Sequence, residues 1–349
     1  MKILISRSSR FEHILMPDSR NAILDTPISR LYWLVALLFA ALYVTVPWPD
    51  IFFRIYGHAM LDRTVYQIQI ESNNLRGDYS GFSDPLSLLT SEYLWSRTLR
   101  WLYSDLSLPV SLIFLLISFT SILIFSLTLL RTLRWYWLVA LVNPLVVDLA
   151  FSQLRLALAI SIMLIVYLSV RAGLLRRLVL ATASTMIHTA TVLFVAMYLV
   201  SVSASKQVAH LREYRALAMA IGTGCLISLA IGPAREIILT QIGDRRAIYV
   251  DIASSPLYLS FWIILLSILV IRWRAIGGSI EASIAVIVLS LVTSNIFTGS
   301  YSTRFIAAAF PFIVISMARL DGIVKPLTVL MFLAYVIFQW FYWLRLVVV

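Results

Sequence analysis

The stretch Leu149–Leu193, LAFSQLRLALAISIMLIVYLSVRAGLLRRLVLATASTMIHTATVL, decides how the rest of the chain is read. It holds two apolar runs of membrane length and sets Arg155 and His188 inside them. An ionisable side chain at hydrocarbon depth is costly unless a partner or a function retains it, so both residues mark a candidate site. The first run, 153–170, reads as one helix that ends on Arg171, Arg176 and Arg177. The second, 174–201, fits either one tilted helix or two short arms that turn back near His188. That choice fixes the side of the membrane on which every later loop lies.

Composition makes the bilayer the main solvent. Of 349 residues, 61% are hydrophobic and 13% charged, and the mean hydropathy is +0.91. No single soluble core hides that much apolar surface. The net charge of +11 would suggest nucleic acid in a soluble domain. Here the basic residues sit in short runs between apolar segments, as orientation signals do, so no nucleic-acid partner is expected. Cys225 is the single cysteine, which excludes a disulfide framework and a cysteine-based metal site.

Working outward from the opening stretch, residues 1–30 read as a basic cytoplasmic tail ahead of span one, 31–47. Residues 48–107 form the longest polar stretch, expected outside, with Asp62, Glu92 and Asp105 set against Arg63, Arg97 and Arg100. Its many aromatics favour short helices lying against the membrane. Spans follow at 108–130, 135–150 and 153–170, and each basic cluster then falls inside. For 174–201 a hairpin is preferred, because it keeps Lys206, Arg212, Arg215, Arg272, Arg274, Arg319 and Lys325 inside and leaves the balanced loop 233–256 outside. The remaining spans are 216–232, 257–271, 282–298, 303–318 and 326–344. The expectation is an all-α, polytopic membrane protein of about ten or eleven passes, forming one domain over 1–349.

On this topology Arg155 and Arg304 each open a helix that runs inward. A helix N-terminus presents open N–H groups and partial positive charge, and an arginine there makes an anion site. Arg235, Arg245 and Arg246 lie on the second external loop, and Asp148, Gln153, Asn295 and Tyr301 reach the same level. The bland readings are snorkelling or carboxylate pairing for the arginines, a packing group for His188, and a short-range pair with Arg155 for Asp148.

The order Asp62-x3-Tyr66, Gln153-x-Arg155-x-x-x-Ala159, Arg176-Arg177, Met186-Ile187-His188-Thr189-Ala190 and Thr303-Arg304-Phe305 resembles the EpsG-like group of polysaccharide polymerases, related to Wzy O-antigen polymerases. Glu92 stands where such proteins often carry an acidic residue before span two. The resemblance implies a GT-C-like inner-membrane glycosyltransferase with its site facing the periplasm. Its substrate would be an undecaprenyl-pyrophosphate-linked oligosaccharide, part of lipopolysaccharide or exopolysaccharide synthesis. It also implies a chain-length-regulating co-polymerase as partner, besides membrane lipids. No Asp-x-Asp occurs, so arginines would replace a metal and no cofactor is expected. Catalytic candidates are Asp62, Glu92, His188, Arg155 and Arg304, with Asp62, Glu92 or His188 as base. Tyr66, Asp148, Gln153, Arg235, Arg245, Arg246, Asn295 and Tyr301 are the substrate-binding candidates. The rival classes are a lipid-linked oligosaccharide transporter or flippase, a polysaccharide-modifying acyltransferase, and an O-antigen ligase.

Overall fold

The computed structural model describes residues 28–56, 60–72, 92–169, 173–205, 212–234, 237, 256–277, 279–298 and 303–343. The chain is an all-α polytopic membrane protein, with no strand among the described residues. In order, the helices are α1 (Arg30–Thr45), α2 (Trp48–Tyr56), α3 (Leu61–Glu71), α4 (Tyr93–Arg100), α5 (Val110–Leu130), α6 (Pro144–Phe151), α7 (Leu154–Leu168), α8 (Leu174–Ile187), α9 (Thr191–Ser205), α10 (Arg212–Ile231), α11 (Pro256–Ile271), α12 (Trp273–Ile276), α13 (Ile280–Thr298), α14 (Thr303–Ala318) and α15 (Val324–Trp343).

Five apolar stretches among the described residues are long enough to cross a bilayer: 30–52, 110–130, 214–231, 280–298 and 324–343. Helix α13 is central and buried on all sides over residues 281–292, whereas α1 and α15 turn rows of leucines and aromatics outward, as lipid-facing helices do. Serine and threonine hydroxyls along α5 bond back to carbonyls four residues earlier, so they carry no unpaired donor into apolar surroundings. Ser118 bonds in addition to the Ala150 carbonyl at 2.7 Å, which ties α5 to the end of α6.

The expected span 135–150 is not a single helix. Trp135–Leu141 is a 3-10 segment, and Asn143 then starts a new helix. Its side-chain oxygen accepts from the Leu145 N–H at 2.8 Å, and Pro144 occupies the first turn, where its missing N–H costs nothing. Helix α6 stops at Phe151, and the chain bends by 102° into α7, so 144–168 is a broken span or a re-entrant element. The apolar stretches 191–204, 258–271 and 304–318 are shorter helices. Against the expected ten or eleven apolar passes, both arms around His188 counted, the described residues hold five long helices, one bent pair and three shorter apolar helices.

The run 174–201 does break at His188. The residue is extended (φ −149°, ψ 117°), and Thr191 Oγ donates to the His188 carbonyl at 2.6 Å to start α9. Helix α8 lies antiparallel to α7, with Ser184 Oγ on the Ala159 carbonyl at 2.8 Å. Helix α9 then packs along α10 and α13. The two arms return as expected, but they touch each other little: α8 packs chiefly on α7, and α9 chiefly on α10 and α13.

Helices α10 and α13 run parallel in close contact. A side chain at Gly224 would place its Cβ 2.4 Å from the Ile287 carbonyl oxygen, so glycine is required for this approach. Ser228, Asn295 and Thr298 bond to one another near the far ends of the same two helices. Running the contacts through the bundle puts the starts of α7, α9 and α14 at one end with α3 and α4. The ends of α5, α7 and α14 lie at the other with the start of α13.

Candidate functional site

Glu92 is the centre of the first end. It precedes α4 and sits 63 positions from Arg155 and 96 from His188, yet its carboxylate bridges them. His188 Nδ1–H donates to Glu92 Oε1 at 2.7 Å, and Arg155 Nη1 donates to Glu92 Oε2. The side chains are mostly enclosed, 28% exposed for Arg155 and 16% for each of the other two. Burial alone would raise the Glu92 carboxyl. The His188 hydrogen bond and the Arg155 charge outweigh it and hold the group below the usual glutamate value. An ionised acceptor at that position fixes the proton on Nδ1 and leaves Nε2 as the basic nitrogen.

The Tyr66 ring faces Arg155, with the guanidinium carbon 5.7 Å from the ring centre, and packs edge-on against Trp95 at 5.3 Å. Tyr66 is raised, first by burial, although Arg155 pulls it the other way. Asp62, one turn earlier on α3, accepts from Arg304 Nη2 at 3.0 Å. Arg155 and Arg304 are each the second residue of their helix, so both charges lie where backbone N–H groups point outward. Helix α3 is pinned to the bundle by Arg63, whose guanidinium stands 4.7 Å over the Phe114 ring and reaches the Phe151 carbonyl. Burial lowers Arg63 to about 10, against the opposing pull of Asp50.

Asp148 does not pair with Arg155; it accepts from Gln153 Nε2 across the α6–α7 bend, and Arg155 goes to Glu92. Asn295 is held by the Ser228 and Thr298 hydroxyls between α10 and α13. Arg235, Arg245, Arg246 and Tyr301 lie outside the described residues. The structure thus brings together Asp62, Tyr66, Glu92, Arg155, His188 and Arg304 from five different helices or their ends. Among the described residues, no three His, Cys, Asp or Glu side chains are grouped to hold a metal. The groups in the site that can meet an anion are guanidinium groups and helix N-termini.

A second polar cluster, at the opposite end, escaped the sequence reading. Glu281 is 2% exposed and accepts two bonds from Arg319 at 2.9 and 3.2 Å and one from the Tyr167 hydroxyl at 2.5 Å. It joins the C-terminal ends of α7 and α14, the helices that carry Arg155 and Arg304 at their other ends. Glu281 directly precedes an apolar run and reads as the last residue of a loop; only the fold buries it. Compared with protein-family models, with characterised proteins and with solved structures, the chain matches none.

Proposed function

We propose that the chain is a polysaccharide repeat-unit polymerase. In this reading it is a bacterial inner-membrane glycosyltransferase that moves a growing glycan from undecaprenyl pyrophosphate to the terminal sugar of a new lipid-linked repeat unit, at the periplasmic face. The observation that carries this reading is the gathering of two helix-opening arginines at one end of the bundle, Arg155 on the Glu92–His188 pair and Arg304 on Asp62.

Glycosyl transfer needs charge stabilisation on a departing diphosphate and a base for the acceptor hydroxyl. Arg155 and Arg304 supply the first. Their planar forks match phosphate oxygens, and the helix ends beneath them add N–H groups aimed the same way. His188 supplies the second. Glu92 holds Nδ1–H, so Nε2 takes the acceptor proton as the sugar–diphosphate bond breaks and the new glycosidic bond forms; the electron pair leaves on the diphosphate. This ordering selects His188 as base, with Glu92 as its positioning carboxylate. Asp62 then serves Arg304 and not the acceptor.

The reading is tested with Arg155→Lys and Arg304→Lys, assayed in cells for polymer with membrane levels of the protein measured alongside. A lysine keeps the charge but not the fork, so each variant is expected to lose polymer at unchanged protein level. Full polymer in both variants refutes the diphosphate site.

A further inference from the structure

We propose that Asp62 and Glu92 act as built-in stand-ins for the substrate's phosphates, holding Arg304 and Arg155 until an incoming diphosphate takes their places. The inference rests on the polymerase reading and adds how the same site is controlled. Both arginines and His188 belong to the bundle helices α7, α14 and the end of α8, whereas both carboxylates belong to α3 and the start of α4, between α1 and α5. Arg155 bonds Glu92 and Arg304 bonds Asp62, so the charge within each of these two pairs is balanced. A diphosphate entering beside these pairs would meet two like charges on the very groups it needs, which disfavours simultaneous occupancy. Displacing the carboxylates converts the same guanidinium groups into a phosphate cradle with charge-assisted, two-point bonds.

The backbone supplies an independent sign. Glu92 is in the left-handed region (φ 56°, ψ 42°), where a residue with a side chain is strained. Such strain persists only where surrounding contacts over-determine it. Here the contacts include the bonds to Arg155, to His188 and to the Thr189 backbone. Losing Arg155 to a phosphate removes one of them and lets the turn relax. Glu92 then keeps His188 and the Thr189 backbone, as a carboxylate no longer shared with a guanidinium and so a stronger partner for the imidazolium formed on proton transfer. Diphosphate binding and readiness of the base become one event, which disfavours proton transfer in a site without donor.

The Arg304–Asp62 pair is weak enough to exchange, since its side chains are 42% and 32% exposed. The test measures binding of inorganic pyrophosphate to the purified full chain in detergent, as parent and as Asp62→Asn. Removing an exposed competitor of this kind is expected to tighten binding about 2- to 5-fold. Unchanged or weaker binding in Asp62→Asn overturns the exchange. No binding to either protein overturns the anion site itself. Hydrogen exchange on the parent gives a readout independent of the variant. Pyrophosphate, against chloride at equal ionic strength, should speed exchange in α3 and at the start of α4. Slower exchange there refutes displacement and leaves the anion site standing.

Discussion

Replacing Glu92 by glutamine separates the roles assigned to the site more sharply than any other change. The amide keeps the shape of the side chain but removes the charge that fixes His188 with its proton on Nδ1. At the 2.7 Å contact, the glutamine presents either a neutral oxygen or an N–H to that nitrogen. The second arrangement reverses the imidazole tautomer and puts the proton on Nε2, where a base is needed. In the carboxylate–histidine systems where this exchange has been made, turnover drops by about 10⁴, or roughly 5.5 kcal/mol of barrier. The same substitution frees Arg155, so pyrophosphate should bind the variant at least as tightly as the parent. The amide preserves the shape of the side chain, and thermal unfolding of the same samples separates loss of the fold from loss of catalysis. The assay is the initial rate of glycan transfer by purified protein at saturating donor, with pyrophosphate inhibition and thermal unfolding measured on the same samples. A rate within tenfold of the parent, with the protein folded, would refute the assignment of Glu92 as the positioning carboxylate of His188.

Three further outcomes follow from the same geometry. In a Cys225→Ser background, Ser205→Cys should react only with reagents that enter the cytoplasm; labelling from outside would contradict the returning arms around His188. Glu281→Ala should cost about 3–5 kcal/mol by leaving the Arg319 charge half-buried without its carboxylate, whereas Tyr167→Phe should cost about 1 kcal/mol, both read as detergent thermal stability. Equal effects would show that the ion pair does not hold α7, α13 and α14 together. Because the Glu92 carboxyl is held below its ordinary value, its contribution to stability is complete above about pH 4.3 and is lost as pH falls through the depressed value. The parent should lose stability below that pH, and Glu92→Gln should lack this loss; matching acid curves for the two proteins would contradict it.

Much of the helical framework was legible because long apolar runs have few alternatives in a membrane protein. The runs expected at 108–130 and 282–298 appear as Val110–Leu130 and Ile280–Thr298. The break at His188 was legible from loop charge alone, without any local breaker residue. The expectation failed at 135–150, where hydropathy is high throughout but Asn143 and Pro144 restart the helix, a local backbone event that average hydropathy does not register. The gathering of Arg155, His188 and Arg304 at one end of the helices was legible, and the bonds they make there were not. Arg155 looked nearest to Asp148, seven positions away, but the fold gives it Glu92 from another helix, and no local spacing encodes that pairing. Glu281 was overlooked for the related reason that a carboxylate at the edge of an apolar run looks solvated until Arg319 and Tyr167 close over it.

The central claim, that this arrangement of arginines and histidine polymerises lipid-linked glycans, is tested most directly by giving the purified protein a single lipid-pyrophosphate-linked repeat unit and resolving the products by size. The expected product is a ladder of glycans differing by one repeat, with one polyprenyl pyrophosphate released for each bond formed. Unchanged substrate, or a single transfer onto a different lipid with no ladder, would contradict it.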